Sequence, residues 1–200
     1  MSTVIRRSVR QVSNRFQDFW LGISTGGTAP AEAPDQVYYA TVSYSCTHSV
    51  QRRLELTQDD VFVDVGCGKG RVVCLAAKHA LKQIIGIEYS PALALIAERN
   101  VMQLRGRRSP VSILCQPAEV SDYSEATALY FFNPFEPPLL DRVLHRIKAD
   151  RAGKATRMAF VMESEALREV FALHKWLTCY DRFEDEDRHV VAMYRTVLSD

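Results

Sequence analysis

Three groups of residues in this chain have the types and spacing to do chemistry. The first is Asp64-Val65-Gly66-Cys67-Gly68-Lys69-Gly70-Arg71, three glycines at alternate positions behind an acid. The second is Glu88, which stands 22 residues after Gly66 (88 − 66). The third is Asn133-Pro134-Phe135, just past an apolar run. Glycine lacks a Cβ, so such a loop lets a ligand lie against the backbone. A carboxylate at the position of Glu88 can accept both hydroxyls of a ribose. An amide oxygen from Asn133 and the carbonyl of Pro134 could hold the hydrogens of an amine, and Phe135 could stack on a flat or cationic group.

The same residues narrow the ligand. A phosphate-binding P-loop requires Gly-x-x-x-x-Gly-Lys-Ser/Thr, and no Ser or Thr follows Lys69. A dinucleotide loop requires Gly-x-Gly-x-x-Gly, and Arg71 stands where its third glycine should be. Asp64 would repel a pyrophosphate but suit a cation. The loop therefore calls for a ligand with a ribose and a positive charge but no phosphate, a description that S-adenosylmethionine meets.

The elements that must position these groups follow from patterning. A basic, amphipathic helix is predicted over Val4–Leu21, with Val12, Phe16, Phe19 and Trp20 near one face, covering the core or a cleft and leaving a solvated basic face. Gly22–Pro34 reads as a loop and Thr41–Leu56 as helical. Strands are predicted at Val61–Val65, Gln83–Glu88, Val111–Gln116, Ala128–Phe132 and Thr156–Met162. They alternate with helices at Arg71–Leu81, Ser90–Leu104, Pro137–Asp150 and Glu163–Ala172, with a short helix near Asp122–Ala126. Ser90-Pro91 is a strong helix start. Alternation of this kind gives a parallel sheet covered on both faces. Two last β-rich runs, Trp176–Phe183 and His189–Val197, have only the acidic loop 184–187 between them and should form an antiparallel hairpin.

Composition bounds the rest. The chain has 200 residues, 25 basic against 24 acidic, for a formal charge of +1, which gives no general pull toward a polyanion. No apolar run reaches the roughly 18 residues of a membrane-spanning helix, and no secretory signal is visible, so a cytoplasmic protein with no membrane partner is expected. Five scattered cysteines without a C-x-x-C spacing argue for reduced thiols and no metal site.

Taken together, Asp64–Gly70, Ile87-Glu88-Tyr89-Ser90-Pro91 and Tyr130–Phe135 resemble the class I S-adenosylmethionine-dependent methyltransferases, over about Asp59 to the C-terminus. The chain is similar to a group of small bacterial enzymes and, more distantly, to the non-SET histone-lysine methyltransferases. The resemblance implies an α/β, Rossmann-like seven-stranded sheet flanked by helices on both faces, with a C-terminal antiparallel hairpin and an extra N-terminal helix. Residues 1–58 would cover the active site and 59–200 would form the cofactor-binding core. The implied cofactor is S-adenosylmethionine. Asp64 would support its methionine part. Gly66, Cys67, Gly68 and Gly70 would form the floor, with backbone N–H groups near its carboxylate. Glu88 would clamp the ribose and Tyr89 flank the adenine. Relatives commonly have an Asp after the third strand for the adenine amino group; this chain has Gln116-Pro117-Ala118, so Gln116 or the backbone of Ala118 would serve, with Glu119 a weaker candidate.

Asn133-Pro134-Phe135 resembles the Asn/Asp-Pro-Pro-Phe/Tyr motif of amino-methyltransferases, with one proline where those have two. It implies transfer to a nitrogen by in-line displacement, with Asn133, Pro134 and Phe135 at the reacting end and Asn133 able to touch the cofactor. Tyr38, Tyr39 and Tyr44 would line the substrate pocket with Phe135, and Thr25-Gly26-Gly27 would belong to a lid. His48, His145 and Glu136 are base candidates by type, ahead of His79, His174 and His189. A small molecule leads slightly over a protein side chain as acceptor, and nucleic acid is less expected. Two other classes stay open: an NAD(P)-dependent oxidoreductase, and a non-catalytic cofactor-binding or nucleic-acid-binding module using Arg6, Arg7, Arg10, Arg15, Arg105, Arg107 and Arg108.

Overall fold

The computed structural model describes residues 3–27, 40–133, 135–186 and 188–197. Tyr38, Tyr39 and Pro134 lie outside the described residues. Strands β1 (Val61–Val65), β2 (Gln83–Glu88), β3 (Val111–Cys115), β4 (Ala128–Phe132), β5 (Arg157–Val161), β6 (Leu177–Glu184) and β7 (Val190–Thr196) form one sheet in the order β3-β2-β1-β4-β5-β7-β6. The first five are parallel. β7 inserts between β5 and β6, antiparallel to both. The expected closing hairpin is present, and β7 alone runs against the rest of the sheet.

Helices α1 (Thr3–Leu21), α2 (Tyr44–Arg53), α3 (Arg71–Ala76), α4 (Pro91–Gln103), α5 (Pro137–Asp150) and α6 (Glu165–Leu173) complete the fold. One face of the sheet, with Phe62, Tyr130 and Ala159, packs against Val50 and Leu54 of α2, Val72 and Val73 of α3 and Ala97 of α4. The other, with Val63, Leu129 and Phe160, packs against Leu140 and Leu144 of α5 and Phe171 of α6. α3 approaches the sheet closely: a Cβ on Gly86 would lie 3.0 Å from the Val73 Cγ2 of α3 and 2.8 Å from the Cys67 Sγ of the turn. Ser90 caps α4 by accepting from the Leu93 amide, with Pro91 opening the first turn, as its sequence predicts.

Two elements differ from expectation. α3 ends at Ala76 rather than Leu81 because the loop before β3 takes over its carbonyls: Arg108 donates to the Ala77 carbonyl and the Ser109 hydroxyl to that of His79. The short helix after β3 is a single 3-10 turn at Ala118–Val120. Near Asp122, the side chain accepts from the Ser124 amide, closing a local turn in place of a helix.

The N-terminal helix also sits differently. Its polar side, not its apolar side, faces inward: Asp18 is buried while Val12, Phe16, Phe19 and Trp20 are exposed. The cause is Arg71, buried at the start of α3. Its Nε donates to the Thr25 hydroxyl (2.7 Å), its Nη1 to the Val42 carbonyl (2.7 Å) and its Nη2 to Asp18 (3.4 Å). Asp18 also accepts from the Thr25 amide (2.8 Å) and from the Tyr44 hydroxyl (2.6 Å). The guanidinium lies 4.8 Å from the centre of the Tyr44 ring. Arg105 closes the same C-terminal end of α1, donating to the Phe19 and Trp20 carbonyls, where the helix dipole favours a cation.

Removing one member of a buried, hydrogen-bonded charge pair leaves the other uncompensated. Asp18→Ala should lower unfolding free energy by about 3 kcal/mol, read by urea denaturation. Stability equal to the parent would show that the pair does not anchor α1.

Candidate cofactor and active site

The carboxyl ends of β1, β2, β3 and β4 converge on one edge of the sheet, where open α/β sheets bind ligands. Gly66, Gly68 and Gly70 all have positive φ (80°, 54° and 80°), so the chain reverses sharply between β1 and α3. A Cβ on Gly70 would come within 3.1 Å of the Ala97 Cβ, so this turn also sets the spacing of α3 and α4.

The loop's amides are largely committed inside the protein. Gly66 and Cys67 both donate to the Ile87 carbonyl (2.9 Å each), and Gly70 donates to the Cys67 carbonyl (2.8 Å). The Gly68 amide donates to Glu88 Oε2 at 2.7 Å. A phosphate nest needs free amides aimed at the anion. This loop supplies a smooth surface instead, and the expected cluster of N–H groups for a ligand carboxylate is not formed by these four.

Glu88 is held from both sides, since its Oε1 accepts from the Ser90 amide (2.9 Å). A carboxylate oxygen has two lone-pair directions, so a pinned carboxylate retains capacity for hydroxyl donors. Gln116 is brought beside it: its amide donates to the Glu88 carbonyl (3.0 Å), and its side chain donates to the Ser121 hydroxyl (2.8 Å). Tyr89 is 44% exposed beyond Glu88, free to present its ring. Ala118 is buried, and its carbonyl accepts from the Tyr123 hydroxyl.

Asp64 is buried beneath the glycine turn, and the Val73 amide of α3 donates to it. Burial, then the nearby charge of Glu88, pushes its carboxyl well above the ordinary value of 3.8. Two carboxylates crowded under an open turn make a site that gains from a cation. Cys67 is buried, and desolvation with both acids pushes its thiol up, so it is no nucleophile.

Asn133 follows β4 at the same edge, in the left-handed region (φ 40°), its amide donating to the Val161 carbonyl (3.1 Å). Met162, just past the adjacent β5, is left-handed too (φ 66°). Strained backbone of this kind at two neighbouring strand ends is a recurrent mark of functional edges. Phe135 does not present its ring for stacking: it is buried against Phe131, centroids 6.4 Å apart. Tyr44 does not line a pocket either; it is buried under Asp18 and Arg71, and burial together with Asp18 pushes its phenol far up. Both corrections have the same cause, an aromatic ring supplying core area that the sequence does not distinguish from pocket area.

The base candidates separate. Glu136 is exposed at the N-terminus of α5, near Asn133. His145 lies with Asp141 and His174 on the outer side of α5, remote from the glycine turn. His48 is exposed on α2, its pKa lowered by burial, His79 and Arg52. His189, ranked low on sequence, comes to the carboxyl edge at the start of β7, with its Nδ1 3.1 Å from Asp185. The signal that could have found it is the acidic loop ahead of it, whose Glu186 accepts from Ser45 at the start of α2 (3.0 Å).

Above the turn lies a strap. The Lys69 ammonium donates to the Gly26 carbonyl (2.6 Å). Asn100 of α4 donates to the Ser24 and Lys69 carbonyls (3.1 and 2.8 Å) and accepts from the Ser24 amide (2.9 Å). Residues 24–26 are thereby tied to the glycine loop, where sequence placed a lid.

Comparison with known proteins agrees with this geometry. Residues 32–121 match the model of the family described as histone methylation protein DOT1. The chain is 31% identical over 74 residues to protein arginine N-methyltransferase 1 of Saccharomyces cerevisiae, covering 37% of this chain and 20% of that enzyme. It is 34% identical over 87 residues to a protein-lysine N-methyltransferase of Saccharolobus islandicus, covering 42% and 53%. The match thus spans a fifth of one relative and about half of the other. In fold it is similar to an RNA methyltransferase from Salinibacter ruber solved with S-adenosyl-L-homocysteine, with TM-score 0.65 and 19% identity over 80% of this chain and 96% of that one. Over the matched residues the chain is similar to S-adenosylmethionine-dependent methyltransferases, and its fold is that of the class I enzymes.

Asp64→Asn and Glu88→Gln should each weaken S-adenosylhomocysteine binding by about 1–3 kcal/mol, the scale of a charge-assisted hydrogen bond, as read by calorimetry. A carboxyl raised above 3.8 contributes most to stability below that unfolded value and loses the contribution as pH rises through the raised one. Ligand-free Asp64→Asn should therefore be at least as heat-stable as the parent at pH 8. A loss of stability there would contradict the buried-charge account.

Proposed function

We propose that this chain is an enzyme transferring a methyl group from S-adenosylmethionine to a nitrogen, and that the acceptor is an amine or guanidine of a protein side chain. The observation that carries the cofactor half is the pairing of a turn whose amides are internally bonded with the pinned carboxylate of Glu88. Such a site suits a ribose and a cation and offers little to a pyrophosphate, which sets aside the oxidoreductase alternative. S-adenosylmethionine supplies a methyl group on a positively charged sulfur.

The chain's residues have separate tasks in this reading. Glu88 orients the ribose, Tyr89 flanks the adenine, and Asp64 gives the turn a negative interior. Methyl transfer is an in-line displacement, so holding the acceptor and excluding water supply much of the rate. Asn133 is the group best placed to accept hydrogens from the nitrogen and aim its lone pair. Glu136, exposed at the N-cap of α5, and the Asp185–His189 pair are acceptors for the proton that a protonated amine must lose. In this reading the strap at 24–26, tied to the glycine turn by Lys69 and Asn100, excludes water from it.

The protein acceptor is favoured over the small molecule suggested by chain length for two reasons. Both curated relatives are named as protein N-methyltransferases. The edge also carries Glu136, Glu184 and Glu186, exposed acids that would attract a cationic side chain.

Two measurements test the proposal. Calorimetry should show S-adenosylhomocysteine binding and no NADH binding; the reverse would refute the cofactor assignment. With radiolabelled S-adenosylmethionine and a lysine- and arginine-rich peptide mixture, Asn133→Ala should lower kcat on the order of 10²-fold, the range of a lost positioning contact, with cofactor affinity near the parent's. A variant that loses cofactor affinity while keeping kcat would make Asn133 a cofactor residue instead.

A further inference from the structure

Helix α1 turns its apolar stripe to solvent. Its inward side carries buried Asp18 and half-buried Asn14 and Gln17. Its outward side carries Val12, Phe16, Phe19 and Trp20, exposed by 69, 62, 71 and 63%. Phe16 and Trp20 meet edge to face, with centroids 6.2 Å apart. Arg15 flanks the stripe and is exposed, and the helix sequence carries three further arginines. The helix has one acid, Asp18, and Arg71 occupies it.

We infer that α1 docks on an anionic lipid surface, lying along it with the stripe in the acyl boundary and the arginines among the phosphates. The chemistry selects this occupant. A basic helix with an exposed stripe of Phe, Trp and Val, flanked by Arg15, has the pattern that binds bilayer interfaces. Aromatic rings suit the boundary, and long basic side chains reach back to headgroups. A second copy is disfavoured, because pairing two stripes brings the flanking arginines together with no acid to answer them. Nucleic acid would use the arginines but leave Val12 in water. No described helix is long and apolar enough to cross a membrane, so the association is with the surface. The sequence excluded a spanning helix and from that expected no membrane partner; a helix lying in the interface escapes that argument. The inference does not rest on the methyl-transfer reading.

The test uses the full chain in vesicle sedimentation. Vesicles of phosphatidylcholine alone are compared with vesicles containing phosphatidylglycerol. Recovery on the anionic vesicles should exceed that on neutral ones by roughly tenfold or more and fall as salt rises, following the electrostatic share of such binding. The double substitution Phe16→Ser with Trp20→Ser should abolish recovery, and Arg15→Glu should reduce it, both with the parent's melting temperature because all three side chains are exposed. Equal recovery on both vesicle types, or none, overturns the inference. So does a double variant that binds like the parent. A dimer that dissociates in the double variant without vesicle binding would assign the stripe to a second copy, and salt-dependent RNA binding without vesicle binding would assign it to nucleic acid; either result overturns the lipid reading.

Discussion

The arrangement depends on a cation placed where a helix least tolerates one. Arg71 is the first residue of α3, at the positive end of that helix's dipole, and it is 3% exposed. A guanidinium there requires an anion and several acceptors, or the turn above it cannot form. Asp18, Thr25 and the Val42 carbonyl meet that requirement, and all three come from outside the strand–helix core. The constraint runs in both directions: the core cannot bury Arg71 without the N-terminal segment, and α1 is oriented by the residue it must reach. The strap at 24–26, the hydrogen bonds from Lys69 and Asn100, and the position of α2 through Tyr44 follow from that one demand.

The same residue links two arguments about the ligand. In a dinucleotide loop, the Arg71 position is a glycine that lets the helix sit close to the sheet. Here the close approach is provided elsewhere, by Gly86 on β2 and by Gly70 against Ala97. With that task moved, the Arg71 position is free to anchor the N-terminal segment. The turn is then closed by its own hydrogen bonds and by Glu88, so its interior is negative and its amides are occupied. The amides and acids that disfavour a phosphate and the arginine that disfavours a dinucleotide are parts of one construction.

Much of this was legible in the sequence, for physical reasons that can be named. β1, β2 and β4 were placed to the residue because each is a run rich in β-forming apolar residues that stops at a glycine, an acid or Asn-Pro. α4 was placed by its Ser-Pro start, and α5 by the apolar face that starts after Glu136. That Gly66 to Gly70, Glu88 and Asn133 stand together at strand ends was legible because each directly follows or closes a β-type run. What was not legible depends on contacts distant in sequence. Tyr44 and Phe135 are rings whose burial is decided by Asp18 and Phe131, not by their neighbours in the chain. α3 stops where the loop at 105–109 captures its carbonyls. His189 reaches the edge only because β7 inserts beside β5 and runs against it.

The inverted helix shows how two strong local signals are resolved when they conflict. Periodicity says that the stripe of Val12, Phe16, Phe19 and Trp20 should face the core. Leaving Arg71 without Asp18 would cost about 3–5 kcal/mol and would also strand Tyr44 and Thr25. One helix cannot satisfy both, since Asp18 lies opposite the stripe. In the fold the charge pair is satisfied and the stripe is left in water. Hydrophobic patterning thus read the strength of α1's apolar face correctly and its direction wrongly, because direction was set by a single buried ion pair that no periodicity measures.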